Sequence, residues 1–154
     1  MPSEIQHIAD QVIGAALDEA TKDGHRIYTF ALYFDHESPA LSICMDTKEN
    51  SIRQVREQNA YSAKYFQKFI GAGDLEQAAL WQANVGRNLS LGDFARVNVA
   101  RTPLAQADLS QDDFLSLIRS VIGHEREIRK LAEIADELVF CCTSPTNEVG
   151  IVWA

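Results

Sequence analysis

Ile27-Tyr28-Thr29-Phe30-Ala31-Leu32-Tyr33-Phe34 is the stretch that decides the fold. It is apolar at nearly every position and rich in aromatic and β-branched residues, which is the composition of a strand buried on both faces. Such a strand belongs in the middle of a sheet. Asp35-His36-Glu37-Ser38-Pro39 follows with turn chemistry, and beyond it Leu41, Ile43 and Met45 alternate with Ser42 and Cys44. The two runs read as an antiparallel hairpin whose second strand has one less apolar face.

Upstream, Ile5, Ile8, Ala9, Val12, Ile13, Ala16, Leu17 and Ala20 recur at the three-and-four spacing of an amphipathic helix. Ser3 with Gln6 forms a capping box at its start, and Gly24 supplies a left-handed stop. Downstream, Ile52, Val55, Asn59, Ala63, Phe66, Phe69 and Ile70 share one face of a second helix that Gly71 and Gly73 end. Asp74 with Gln77 caps a short helix that contains Trp81 and stops near Gly86. Leu89 to Thr102 reads two ways: Leu89, Leu91, Ala95, Val97 and Val99 alternate as in a strand, whereas Phe94, Val97 and Arg101 also fit a helix, and the alternation favours the strand. After Pro103, Ser110 and Asp113 open a helix carrying Phe114, Leu117, Ile118, Val121 and Ile122, with Gly123 as its candidate break. Ile128, Leu131, Ile134, Ala135 and Leu138 continue a helical face. The runs Leu138–Thr143 and Val149–Trp153, on either side of Ser144-Pro145-Thr146-Asn147, form a second hairpin. Strands and helices come in blocks rather than strict alternation, which predicts an α+β fold: an antiparallel or mixed sheet packed against several helices, as a single domain over residues 1–154.

At 154 residues, 46% hydrophobic and 23% charged, the chain is long enough for one core. Acids outnumber bases 22 to 14, a formal net charge of −8. That balance argues against nucleic acid. No apolar run of about 18 residues is present to span a bilayer, and the N-terminal residues lack a basic stretch followed by an apolar one. Cys44, Cys141 and Cys142 match no disulfide framework and read as reduced thiols, so a cytoplasmic location is expected.

The string His124-Glu125-Arg126-Glu127-Ile128 begins like the helical zinc-protease motif, in which histidines one turn apart share the metal. Ile128 stands where the second histidine is needed, so the bland reading is a polar helix face with ion pairs from Arg129 to Glu125 and Glu133. Cys141 and Cys142 point to opposite faces of a strand and make poor joint ligands. A nucleophilic cysteine would need a base such as His124 or His36 beside it. His7, His25 and His36 sit at polar or turn positions and are expected in solvent. Gly71-Ala72-Gly73 lacks the residues of a phosphate-binding loop, and no Gly-x-Ser-x-Gly elbow occurs. No catalytic, metal or cofactor residue is therefore assigned, and no cofactor is expected.

Asp108, Asp112 and Asp113 cluster where Ser110 opens its helix, a place the helix dipole favours for negative charge. Joined to Asp136, Glu137 and Glu148 they are the candidate partner-binding residues, an acidic face for a basic protein, with Trp81 or Trp153 as a possible aromatic anchor.

The order of elements is similar to that of the bacterial family called domain of unknown function 4303. The similar features are an amphipathic first helix running into Tyr28-Thr29-Phe30-Ala31-Leu32-Tyr33, a short strand after it, Phe94 with Val97-Asn98, and a late helix before a hydrophobic strand. The resemblance implies an α+β fold and transfers no catalytic residue. Many small acidic families of this kind act as immunity proteins that neutralise a toxin, and that analogy favours a binding role. The leading expectation is a non-catalytic protein-binding domain of the immunity type with a basic toxin domain as partner. The alternatives are a small enzyme using His124, Glu125 or a cysteine, and a structural or oligomerising module; oligomeric state is left open.

Overall fold

The computed structural model describes residues 3–154, which fall into two compact units. One comprises the chain up to Lys48 together with Ser90–Ala154; the other, Glu49–Leu89, interrupts it in sequence.

The larger unit holds a five-stranded mixed sheet in the order β3-β2-β1-β4-β5 and is of the α+β class. Its strands are β1 (Thr29–Asp35), β2 (Ala40–Asp46), β3 (Arg96–Pro103), β4 (Val139–Cys142) and β5 (Ile151–Trp153). The expected central strand is β1. It pairs antiparallel with β2 through Thr29–Asp46 to Asp35–Ala40 and parallel with β4 through Thr29–Val139 to Leu32–Cys142. The hairpin turn closes on Asp35, whose Oδ1 accepts the Glu37 and Ser38 N–H groups at 3.0 and 3.2 Å. Arg101 of β3 donates to Asp35 Oδ2 at 2.9 Å and to the Ser38 carbonyl at 3.1 Å, tying the turn to the neighbouring edge strand.

Helices α1 (Glu4–Lys22) and α4 (Gln111–Gly123) belong to the same core cluster as one face of this sheet. Ser3 caps α1 by accepting the Gln6 N–H at 3.2 Å, and Gly24 takes a φ of 69° past the helix end, as the left-handed stop requires. Ser110 and Asp113 form a reciprocal capping box on α4. From α1 come Ile5, Val12, Ile13 and Ala16, from α4 Phe114, Leu117 and Val121, and from the sheet Phe30, Leu32, Phe34, Ile43 and Phe140. Truncating one of the buried large side chains to alanine costs about 2–5 kcal/mol. The opposite sheet face is built from small or polar residues. Ala31 lies between Cys44 and Cys141 in register, so these thiols share that face two strand spacings apart, about 10 Å. That separation is too wide for a disulfide. Cys142 joins the helix-side core, so the adjacent cysteines do face opposite ways.

Two stretches of the larger unit depart from expectation. The strand predicted from Leu89 starts only at Arg96, because Leu91–Asp93 closes a 3₁₀ turn that buries Leu91 and Phe94. Within β3, Asn98 takes a φ of 55° where the register with β2 shifts between Ile43 and Met45, and its side chain accepts the Ser42 hydroxyl. The helical face foreseen from Ile128 to Leu138 ends with α5 (Glu125–Arg129). Ile27 donates to the Leu131 carbonyl at 2.9 Å and accepts the Glu133 N–H at 2.8 Å, so this backbone is drawn into a parallel bridge ahead of β1 instead of a helix.

In the smaller unit, α2 (Lys48–Gly71, beginning one residue before the unit) is followed by α3 (Leu75–Ala78) and a 3₁₀ turn at Ala79–Trp81. Asp74 caps α3 by accepting the Gln77 N–H at 3.0 Å. The short helix stops at Trp81, not near Gly86. Among the described residues no helix is long and apolar enough to cross a membrane.

Candidate functional site

The six acids expected to form one face are placed at three positions. Asp112 and Asp113 share the first turn of α4, with Asp108 exposed shortly before it. Asp113 Oδ2 accepts the Ser110 N–H at 2.9 Å, so its charge serves the helix start. Asp136 and Glu137 lie in a 3₁₀ turn ahead of β4, and Glu137 accepts the Lys48 ammonium at 2.8 Å and holds it above its ordinary pKa range. Glu148 lies beyond the other end of β4. Burial first, and then the carboxylates of Asp35 and Glu148, push the Tyr33 phenol up. Asp108, Asp112, Asp136 and Glu148 are exposed, whereas Asp113 and Glu137 are partly covered and bound locally.

Around His124 the chain assembles serine, histidine and aspartate, in an order unlike a nucleophilic triad. The Ser120 hydroxyl donates to Asp10, and His124 Nδ1 lies 2.8 Å from the Ser120 carbonyl and 3.7 Å from Asp10 Oδ1. A triad needs the imidazole on the serine Oγ and the carboxylate behind the imidazole. Here the fully buried Ser120 faces the carboxylate, and the arrangement pins α1 to the end of α4. His124 and His25 both line a cleft of about 600 Å³, where His25 is only half-buried and its neighbours include Arg26, Lys130, Asp18 and Glu127. Glu127 pairs with Lys130 at 3.2 Å, and Arg26 donates to the Lys130 carbonyl, so the cleft carries balanced charge.

Glu125 and the cysteines are equally committed to packing. Trp153 Nε1 donates to Glu125 Oε1 at 2.8 Å, Arg129 pairs with Oε2 at 3.8 Å, and Trp153 stacks on Phe140 with centroids 5.7 Å apart. Arg129 also lies 5.0 Å from the Phe140 ring centre. Ile128, in the place of the absent histidine, is fully buried. Burial raises the Cys44 thiol and pushes Cys142 up to about 12, which suppresses the thiolate that nucleophilic chemistry needs.

The region that sequence reading missed is the smaller unit. Its chain folds back on α2 through amide and hydroxyl side chains. Asn59 donates to the Asn84 carbonyl at 3.0 Å and accepts the Asn84 N–H at 2.9 Å; Gln58 donates to Asn88 Oδ1 at 3.0 Å, and Ser51 accepts the Asn88 N–H at 2.9 Å. With polar groups closing the hairpin, the apolar ones stay outside. Seven of the thirteen large apolar side chains that remain exposed among the described residues belong to residues 49–89, from Phe66 at 38% to Val85 at 98%. Trp81 stacks on Tyr65 at 4.5 Å and meets Tyr61 edge-on at 6.1 Å. Beside this cluster runs a groove of about 670 Å³ whose apolar lining includes Ala63, Phe66, Leu75, Trp81 and Val85. The signal is present in the periodicity of Ile52, Asn59 and Phe66, which places them on one helical face but does not say what covers it.

Comparison with protein-family models, with curated proteins and with solved structures returns no match for this chain.

Proposed function

We propose that the chain is a non-catalytic protein-binding domain that meets a basic protein partner, as an immunity-type protein meets the toxin it neutralises. The observation that carries the reading is the segregation of charge. The larger unit's sequence holds eighteen acids and nine bases, a net of −9, whereas residues 49–89 hold four acids and five bases, a net of +1. A field of that sign attracts a cationic partner from beyond contact distance and raises its association rate, most strongly at low salt. The resemblance to small acidic families points the same way. A cytoplasmic setting belongs to the same proposal and is supported by the three buried free thiols.

The test is co-expression with a toxic protein encoded beside this chain, read as growth, together with the association rate of the purified pair. The expected result is rescue by the native chain. Replacing Asp108, Asp112 and Asp136 by asparagine and Glu148 by glutamine should slow association at least tenfold at low salt and flatten its salt dependence. Failure of the native chain to restore growth, or an association rate indifferent to the four substitutions, would overturn the proposal.

A further inference from the structure

We infer that the cleft beside His25 and His124 binds a free α-amino acid, holding its carboxylate and its ammonium on separate charges of the chain. The cleft lies between the second half of α1, the turn at residues 24–26 and the region of α5, all within the larger unit. Its volume of about 600 Å³ is within the usual range for small-molecule sites. Two of its charges answer each other, since Lys130 pairs with Glu127 at 3.2 Å. Two others do not. Arg26 donates to the Lys130 carbonyl at 3.1 Å, which restrains the guanidinium, and meets no carboxylate among the described residues. The Asp18 side chain has no hydrogen bond or ion pair among the described residues, so these opposite charges line one cleft without pairing.

A ligand with a single charge would leave one of these groups unanswered, whereas a zwitterion meets both. The guanidinium forms charge-assisted bonds with a carboxylate, and an ammonium donates to Asp18. His124 adds an acceptor. The Ser120 carbonyl can only accept, so the His124 Nδ1 2.8 Å from it carries the hydrogen, and the neutral ring presents a lone pair at Nε2. Leu17 and Leu131, both half-buried, are the apolar wall against which an aliphatic side chain packs. Gly14 supplies an independent observation. It stands inside α1, where glycine is less favourable than alanine, and a Cβ built there meets nothing within 4 Å. Crowding within the protein therefore does not call for glycine at this position, and the space it leaves open belongs to the cleft. None of Asp108, Asp112, Asp136 and Glu148 lines the cleft, so this inference stands or falls separately from the toxin-binding proposal.

The experiment is isothermal titration calorimetry of the full chain with L-leucine and L-methionine as probes, each beside its N-acetyl form, which lacks the ammonium, and its amide, which lacks the carboxylate. The expected Kd for at least one amino acid is about 0.1–1 mM, with both of its blocked forms at least tenfold weaker. Arg26→Gln and Asp18→Asn should each weaken binding at least tenfold. Both side chains are exposed, so unchanged far-ultraviolet circular dichroism is expected to show intact folding. Gly14→Leu should abolish binding by filling the cleft without lowering the thermal midpoint, which separates lost binding from lost folding. Absence of binding by both amino acids up to about 10 mM overturns the inference. Equal binding of the N-acetyl form does so too, because it would mark a site for a lone carboxylate such as a peptide terminus. So does binding that survives the Arg26→Gln and Asp18→Asn substitutions together, because the amino acid would then sit elsewhere.

Discussion

Asp35 shows how one side chain can serve sequence-local and distant partners together. Oδ1 closes the hairpin turn and Oδ2 receives Arg101 from the edge strand, and the guanidinium hydrogen bond holds the carboxyl below its ordinary pKa. A depressed folded value means stability that is present above the unfolded value of about 4 and is lost as pH falls through the lower folded one. Asparagine would keep the turn acceptor and lose the charge. D35N should therefore cost about 0.5 kcal/mol at pH 7, modest because the pair is partly solvated. In urea unfolding the gap between variant and native chain should narrow as pH falls below the ordinary carboxylate range, and a gap that does not narrow in acid would contradict the charge argument. The turn was legible from residues 35–39, whereas Arg101 was not, since nothing local tells a charged residue 66 positions away which turn it will reach. The same limit hid Asp10 from Ser120 and Glu125 from Trp153.

At the scale of elements, α1, the β1–β2 hairpin and the capped start of α4 were readable because each is specified by contacts within a few residues: Ser3 with Gln6, Asp35 with Ser38, Ser110 with Asp113. Residues 130–138 were not, because Ile27 offers their backbone a pairing that outweighs helical periodicity. Helix α2 is legible from its periodicity, but its environment is not. An apolar stripe signals that something will pack on it and leaves the partner unspecified, and here Asn59 spends its amide on Asn84 while the stripe stays open. Asn59→Ala should free residues 82–86 from α2. The Asn84 amide loses its acceptor, so its hydrogen exchange should accelerate roughly tenfold to a hundredfold, in keeping with a loss of about 1–3 kcal/mol. Unchanged exchange would mean that the amide clip holds nothing in place.

For the whole molecule, composition revealed the acidity but not its distribution, because the boundary between the units runs inside α2 and follows no linker rich in glycine or proline. The overall net charge of −8 does not show where the charge lies, and only the fold separates −9 from +1. Self-repulsion in the larger unit opposes its own compactness. Its exposed ion pairs, such as Lys130 with Glu127, contribute little that salt could remove. Raising sodium chloride from low concentration to about 0.5 M should therefore increase the thermal midpoint by a few degrees, as calorimetry can check. A falling midpoint would mean that specific pairs outweigh the general repulsion.

The parallel pairing of β1 with β4 has a consequence for how the chain is made. Thr29 and its partner Val139 are 110 residues apart, so during synthesis the most apolar strand leaves the ribosome long before its second neighbour exists. In that interval one edge of β1 presents unsatisfied backbone groups next to Phe30 and Leu32, the combination that recruits foreign strands. A nascent chain paused ahead of β4 is thus the stage at which this protein depends most on a chaperone.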